Sequence, residues 1–186
     1  MHPSVLDWFA RTVTAEDISG KRVLEVGSYD VNGSVRPYIE SLGPAGYHGV
    51  DAGPGPRVDQ VVDCEELSQR VGYAAWDVVI TTEMLEHVRD WRACMLQLMY
   101  ALKRGGLLLI TTRSPGFPYH PFPEDHWRYT NAQMREILEA LGMEDISVED
   151  DPQPGVFARA RKPLNEPPPH RPWAALRKIE VEDVVR

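Results

Sequence analysis

Four acidic side chains stand at or near the ends of apolar segments that have the composition of strands: Glu25, Asp51, Asp63 and Glu83. In a parallel sheet, ligands bind in the crevice beyond the carboxyl ends of the strands. Carboxylates accept hydrogen bonds from amino groups and ribose hydroxyls, and they balance positive charge. The pattern therefore predicts a site for a cationic nucleoside and suits a diphosphate dinucleotide less well. The alternative is that each carboxylate only caps a helix or turn.

Residues 114–130 form a second candidate functional region, in which prolines and aromatic side chains accompany His120 and His126. Loops beyond strand ends usually carry specificity. A histidine can accept a proton from an attacking hydroxyl, since its reference pKa is close to neutral. The aromatic side chains favour a stacked or apolar acceptor. The alternative is a surface loop stiffened by proline.

The elements that must position these residues alternate between strands and helices. Helical spacing predicts helices at residues 34–42, 91–102 and 131–141. Near-continuous apolar strands between helices indicate an α/β fold with a mostly parallel sheet. The predicted strands are residues 21–27, 47–51, 58–63, 76–81 and 107–112, followed by a terminal hairpin of residues 146–149 and 156–161.

The length of 186 residues suits one α/β core, so a single catalytic domain is predicted over residues 1–162. Five prolines between residues 163 and 172 predict an extended linker, and residues 174–186 have the pattern of a short, mixed-charge helix. Residues 163–186 are therefore expected to form a linker and a docking tail.

The composition disfavours several classes of partner. A net charge of −8 opposes binding to phosphate backbones, so nucleic acid is an unlikely substrate. Apolar runs fall far short of the roughly 20 residues that a membrane span needs, and the N-terminus has no secretory pattern. A cytoplasmic protein is therefore expected. The spacing of Cys64 and Cys94 matches neither a metal knuckle nor a redox pair, so both are predicted to be free thiols.

Five segments resemble the motifs of the class I S-adenosylmethionine-dependent methyltransferases, especially the group often called type 11. The resemblance covers roughly residues 18–161. It implies a Rossmann-like methyltransferase fold, with a mostly parallel seven-stranded sheet, an antiparallel C-terminal strand and helices on both faces. The segments are VLEVGSYDVNGS from Val23, GVDAG from Gly49, VVDCEEL from Val61, WDVVITTEMLEHV from Trp76 and LKRGGLLLITT from Leu102.

The resemblance also implies S-adenosyl-L-methionine as cofactor and S-adenosyl-L-homocysteine as product. Tyr29 and Val31 replace the glycines that the family has two and four places after Gly27, and a turn longer by about two residues would bring Asn32 and Gly33 to the cofactor. The implied cofactor residues are Glu25, Gly27 and Ser28 for the methionine part, Asn32 and Gly33 in the turn, Asp51 for the ribose, Asp63 and Cys64 for the adenine, and Glu83, Met84 and His87 facing the cleft.

The segment PEDHWRYT resembles the Asp-x-Trp-Arg-x-Thr signature of the type 11 group, which places Asp125, Trp127 and Arg128 near the acceptor. A different role for Trp127 and Arg128 is to lock the loop by stacking and ion pairing. The predicted catalytic residues are His126, His120 and Asp125, and the predicted substrate residues are Trp127, Arg128 and Tyr119.

The expected reaction is in-line methyl transfer to a small molecule, with oxygen as the acceptor atom. Such transfer mainly requires alignment and the exclusion of water, so no metal is expected. Little chain precedes the first strand, so the aromatic loop or a second subunit of a homodimer must cover the acceptor. Two alternatives stay open: a catalytically inactive cofactor-binding scaffold, and methylation of RNA or protein. A nicotinamide-dependent oxidoreductase is disfavoured, because GxGxxG spacing is missing.

Overall fold

The computed structural model describes residues 2–121, 124–165 and 172–184. Seven helices are found in these residues: α1 (Pro3–Thr12), α2 (Ala15–Ile18), α3 (Arg36–Ser41), α4 (Leu67–Val71), α5 (Trp91–Ala101), α6 (Asn131–Ala140) and α7 (Pro172–Leu176). The strands are β1 (Arg22–Val26), β2 (Gly46–Asp51), β3 (Gln60–Val61), β4 (Trp76–Thr82), β5 (Leu102–Arg113), β6 (Trp127–Arg128), β7 (Glu144–Asp151), β8 (Gly155–Arg161) and β9 (Glu182–Asp183). Short 3₁₀ turns occupy Cys64–Glu66 and Leu85–His87.

Seven of the strands form one sheet of order β3-β2-β1-β4-β5-β8-β7. Strands β1 to β5 pair in parallel, and β8 runs antiparallel to both of its neighbours. The predicted fold class, with its antiparallel last strand, is confirmed. Because the chain crosses over between β1 and β4, the carboxyl ends of β1, β2 and β4 meet at the place where ligands bind in such sheets.

Two apolar cores cover the two faces of the sheet. Since side chains alternate along a strand, Leu24 of β1 packs with the core that includes α5 and α6, whereas Val23 packs with the core that includes α1 and α3. The predicted capping box of α6 is present, with the Gln133 amide donating to the Thr130 hydroxyl over 3.2 Å. Helices therefore hold both faces, and the strand ends are left for a site.

The prediction of free thiols is wrong, because Cys64 and Cys94 form a disulfide. The bond joins the 3₁₀ turn after β3 to α5, with a Cα–Cα distance of 5.4 Å. Only the spacing of the two residues can be read from the sequence. The packing of the turn against α5, which brings the sulfur atoms together, is a tertiary contact between distant segments.

The tail differs from the predicted helix of residues 174–186. Helix α7 ends at Leu176, and β9 pairs antiparallel with β6. Leu176 and Ile179 are buried in the core beside α5, and the Arg92 guanidinium donates to the carbonyls of both. Long-range contacts therefore override the local pattern. Most of the predicted linker, residues 166–171, lies outside the described residues.

Among the residues that the structure describes, no helix has the length and apolar character required to span a membrane.

Candidate functional site

A cavity of about 1100 Å³ lies at the carboxyl ends of β1, β2 and β4. The four carboxylates singled out in the sequence share this cavity, together with every other residue predicted to bind the cofactor. The eleven lining residues from that prediction are Glu25, Gly27, Ser28, Asn32, Gly33, Asp51, Asp63, Cys64, Glu83, Met84 and His87.

The turn after β1 forms one wall of the cavity and requires glycine at its start. Gly27 has φ +83°, and a Cβ atom there would lie 2.7 Å from both Cβ and Cγ of Met84. The amides of Gly27 and Ser28 donate to the Val50 carbonyl over 2.9 and 3.0 Å, which ties the turn to β2. The buried Ser28 hydroxyl has no hydrogen-bond partner within the described ranges.

The turn continues along the cavity through Tyr29, Val31, Asn32 and Gly33. Tyr29 is 41% exposed and Val31 58% exposed, so both replaced glycine positions stand at the surface of the cavity. Asp30 holds the end of the turn, since its carboxylate accepts from the Gly33 amide over 2.7 Å.

Glu25 is buried at the base of the cavity, where its exposed fraction is 1%. Burial raises the pKa of Glu25 to about 7, although the hydrogen bond from the Tyr47 hydroxyl favours the ionised form. A carboxylate with this pKa changes charge near neutrality, so a cationic ligand beside it would favour ionisation.

Asp51 and Asp63 line the cavity at the ends of the next two strands along the chain. Asp51 accepts from the amides of Tyr29 and Gly53, each over 3.2 Å. Asp63 caps the Cys64–Glu66 turn by accepting from the Glu65 amide over 2.9 Å. The backbone thus fixes both carboxylates, and their remaining lone pairs can accept from a ligand.

Glu83 follows β4 with φ +54°, a left-handed conformation that is uncommon outside glycine. Its carboxylate accepts from the Thr111 hydroxyl over 3.0 Å and forms an ion pair with Arg113. Arg113 lies over the Phe117 ring at 4.2 Å, and burial lowers the pKa of its guanidinium. Sequence analysis missed Arg113 and Phe117 as lining residues. The position of Arg113 at the end of β5 is a signal that could have identified it.

Asp125 and Arg128 form a buried ion pair beside the cavity, and neither lines it. Burial acts to raise the pKa of Asp125, but hydrogen bonds from Arg128 and from the His120 amide lower it to about 2. Arg128 also donates to the Phe117 and Pro118 carbonyls over 3.4 and 3.2 Å. These contacts hold the loop after β5 in place.

Three further predicted residues stand outside the cavity lining: Tyr119, His126 and Trp127. Tyr119 is half exposed, and the Trp127 indole donates to the Val88 carbonyl over 2.8 Å. His126 contacts the Glu124 carboxylate over 3.0 Å, and Glu124 itself lines the cavity. Of the predicted catalytic residues, the structure therefore brings only His120 directly to the cavity.

His120 lies within a cluster that also contains Glu86 and His87. The Glu86 carboxylate is fully buried beneath the cavity, and its Oε2 atom accepts from the Thr112 hydroxyl over 2.9 Å. Sequence analysis quoted Glu86 within the EMLEHV segment without assigning it a role. Its position directly before His87 in the sequence was the available signal.

Residues 1–148 match the sequence model of a family described as a methyltransferase domain. No curated protein sequence matches the chain.

Solved structures share the fold. An S-adenosylmethionine-dependent methyltransferase from Archaeoglobus fulgidus has a TM-score of 0.70 and 15% identity over 85% of this chain and 93% of its own. One from Mesorhizobium loti has a TM-score of 0.63 and 17% identity, covering 84% and 98%. The 1,6-didemethyltoxoflavin-N1-methyltransferase of Burkholderia thailandensis, solved with its substrate and S-adenosylhomocysteine, has a TM-score of 0.61 and 18% identity, covering 87% and 77%.

Proposed function

Since this chain belongs to the methyltransferase-domain family and is a class I S-adenosylmethionine-dependent methyltransferase, we propose that it methylates an oxygen atom of a small molecule. The observation that carries the proposal is the gathering of strand-end carboxylates, His87 and His120 around one cavity. The volume of about 1100 Å³ exceeds the range of about 300–1,000 Å³ that is usual for one ligand. A cofactor and a small acceptor can therefore share it.

The residues present fit the cofactor. The buried Ser28 hydroxyl, which has no hydrogen-bond partner among the described residues, can bond to a ligand. When bound, S-adenosylmethionine supplies an electrophilic methyl group on a positively charged sulfur. We assign the methionine part to Glu25, Gly27 and Ser28, with Asn32 and Gly33 closing the turn, and the ribose to Asp51.

Asp63 and Cys64 border the part of the cavity that we assign to the adenine. Glu83, Met84 and His87 border the part next to Phe117 and His120, which we assign to the reacting groups. These two groups of residues follow β3 and β4, and the sheet order puts β2 and β1 between those strands. The cofactor would thus lie across the strand ends.

The acceptor would lie against Phe117, His120 and Glu124, which come from the loop after β5. Phe117 offers an aromatic face, and the imidazole and carboxylate groups offer hydrogen-bond acceptors that match a hydroxyl. Tyr119 and Trp127 would shape the loop from outside, and the Asp125–Arg128 pair would hold it. Together with the acidic net charge, these groups support a small hydroxylated aromatic or apolar acceptor.

The test combines cofactor binding with turnover. Calorimetry with S-adenosylhomocysteine should show binding that Asp51→Ala weakens by about tenfold to a hundredfold, since a hydrogen bond to a charged group contributes about 1.5–3 kcal/mol. Glu136→Ala, on the exposed face of α6, is the matched control and should bind normally.

Release of S-adenosylhomocysteine should then be measured with panels of hydroxylated, amino and macromolecular acceptors. Turnover on hydroxylated small molecules supports the proposal. Binding without turnover on any acceptor would favour a scaffold, and unchanged affinity in Asp51→Ala would refute the assigned pocket.

A further inference from the structure

Three potential metal-ligand atoms converge where the loop after β5 meets the turn after β4. Oε1 of Glu86 lies 3.7 Å from Nε2 of His120 and 3.9 Å from Nε2 of His87. The ligand atoms of the three residues all lie within 4.8 Å of one another. Both histidines line the cavity, so a point between the three atoms borders the region assigned to the acceptor.

The Glu86 carboxylate is left without a full set of partners. Its side chain is 0% exposed, and its Oε1 atom has no hydrogen bond from any described residue. Burying an ionised carboxylate without compensation is costly, and buried charges are normally paired or bound to metal. The unpartnered oxygen points to a cation between Glu86 and the two histidines.

In both imidazoles, the Nδ1 atom already contacts an oxygen atom. Nδ1 of His87 contacts the Glu124 carbonyl at 2.5 Å, and Nδ1 of His120 contacts the Asp125 carboxylate at 3.1 Å. An oxygen acceptor at Nδ1 places the proton there and leaves the Nε2 lone pair for a ligand. Metal-binding histidines are usually oriented in this way. The buried Asp125–Arg128 pair thus positions a ligand as well as the loop.

The spacing also suits a metal ion. Ligand atoms about 2.0–2.1 Å from a tetrahedral ion lie about 3.3–3.4 Å apart. The two distances from Glu86, 3.7 and 3.9 Å, would need to shorten by a few tenths of an ångström. The ligand nitrogens of the two histidines, which lie within 4.8 Å of each other, would need to approach to the same range. Two imidazoles and one carboxylate are a ligand set of zinc enzymes and of non-haem iron enzymes, which keep further positions open for substrate.

We propose that Glu86, His87 and His120 bind a divalent transition-metal ion, such as Zn²⁺, whose open position takes an oxygen of the methyl acceptor. The role toward the acceptor rests on the proposed function, whereas the binding of the ion does not. The proposed metal ion differs from the sequence-based prediction that the reaction needs no metal.

A bound ion lowers the pKa of a coordinated hydroxyl and orients its oxygen. The hydroxyl proton is released to water, and the oxygen uses a lone pair to bond to the methyl carbon. The carbon–sulfur bond breaks, and its electrons stay on the sulfur. No external base at Nε2 of His120 is then required.

The ion itself is tested with metal-free protein, prepared with a chelator and titrated with Co²⁺. Visible absorption bands of coordinated Co²⁺ should saturate at one ion per chain. Glu86→Gln and His120→Gln should each weaken binding by at least about tenfold, the lower bound seen even when groups outside the ligand shell are changed. His48→Gln is the matched control, because His48 lies on β2 away from the cavity lining. Circular dichroism checks that each variant is folded.

Calorimetry with S-adenosylhomocysteine on the metal-free protein separates this inference from the proposed function. Cofactor binding without Co²⁺ binding would overturn the metal site. Equal effects of the three variants on Co²⁺ binding would overturn it as well. Co²⁺ binding without cofactor binding would support the metal site and refute the function. Turnover that depends on added Zn²⁺ would support both.

Discussion

The Tyr47 hydroxyl on β2 donates a hydrogen bond to Oε2 of Glu25 on β1 over 2.8 Å. This contact joins two neighbouring strands beneath the cavity and occupies one carboxylate oxygen of Glu25. The burial of Glu25 nevertheless raises its pKa from 4.5 to about 7. A residue assigned to the cofactor therefore titrates in the pH range in which the enzyme would be assayed.

Cofactor binding should consequently depend on the charge of Glu25. A cationic ligand favours the ionised carboxylate, so affinity should rise between about pH 6 and pH 8, and binding near pH 7 should release protons. Calorimetry in buffers of different ionisation enthalpy measures this release. Glu25→Gln should remove it, and an unchanged proton release in that variant would contradict the assignment.

The same titration affects stability with a defined sign. Because the pKa of Glu25 is higher in the folded chain, the folded state retains a proton that the unfolded state loses. The free energy of unfolding should therefore fall as pH rises from 4.5 to about 7. Denaturant titrations at several pH values measure this free energy. Its slope against pH should differ between the wild type and Glu25→Gln.

Gly27→Ala should damage the cavity as well as the fold. The left-handed conformation of Gly27 and the clash of a new Cβ with Met84 should together lower the free energy of unfolding by about 1–3 kcal/mol and weaken cofactor binding. Gly46→Ala on β2 is the control, because nothing lies within 4 Å of the position that a Cβ atom would take there. Equal effects of the two substitutions, measured by urea denaturation and calorimetry, would contradict the special role of Gly27.

Asp125→Asn should loosen the loop after β5. Removing one partner of a buried ion pair costs about 3–5 kcal/mol, so thermal stability should fall and proteolysis of residues 114–130 should accelerate. Asp7→Asn, exposed on α1, is the control. Cofactor affinity should change less than turnover, since Asp125 does not line the cavity. A variant that loses turnover while its loop keeps full protection would instead favour a direct catalytic role.

Lowering the pH should reproduce part of the loss of stability expected for Asp125→Asn. Asp125 has a pKa lowered to about 2 in the folded chain, against an ordinary value of 3.8. Its stabilising contribution is thus present above pH 3.8 and is lost as pH falls toward 2. Asp125→Asn should lack this component of acid denaturation.

The fold and the carboxylates that line the cavity were predictable because their signals are local. Apolar strands that alternate with helices define the sheet, and a carboxylate at the end of a strand is readable from the strand alone. Glu25, Asp51 and Asp63 accordingly line the cavity as predicted. The turn was harder, because the sequence predicts cofactor contact by Asn32 and Gly33 only if the turn is longer by about two residues.

The remaining features depend on contacts between distant segments. Cys64 meets Cys94 only because the turn after β3 packs on α5, and β9 forms only because β6 is available as its partner. Glu86 becomes a potential metal ligand only because His120, on another loop, lies close to it. The order of residue types along the chain does not show which distant segments pack together. The disulfide, the structure of the tail and the cluster of Glu86, His87 and His120 could therefore not be predicted from it.

The two side chains that replace glycine in the turn, Tyr29 and Val31, leave apolar surface exposed at the cavity. A ligand that covers them removes this surface from water, which gives binding a negative heat-capacity change. The enthalpy of cofactor association should therefore become more favourable as temperature rises, and more steeply than a turn of bare glycines would allow.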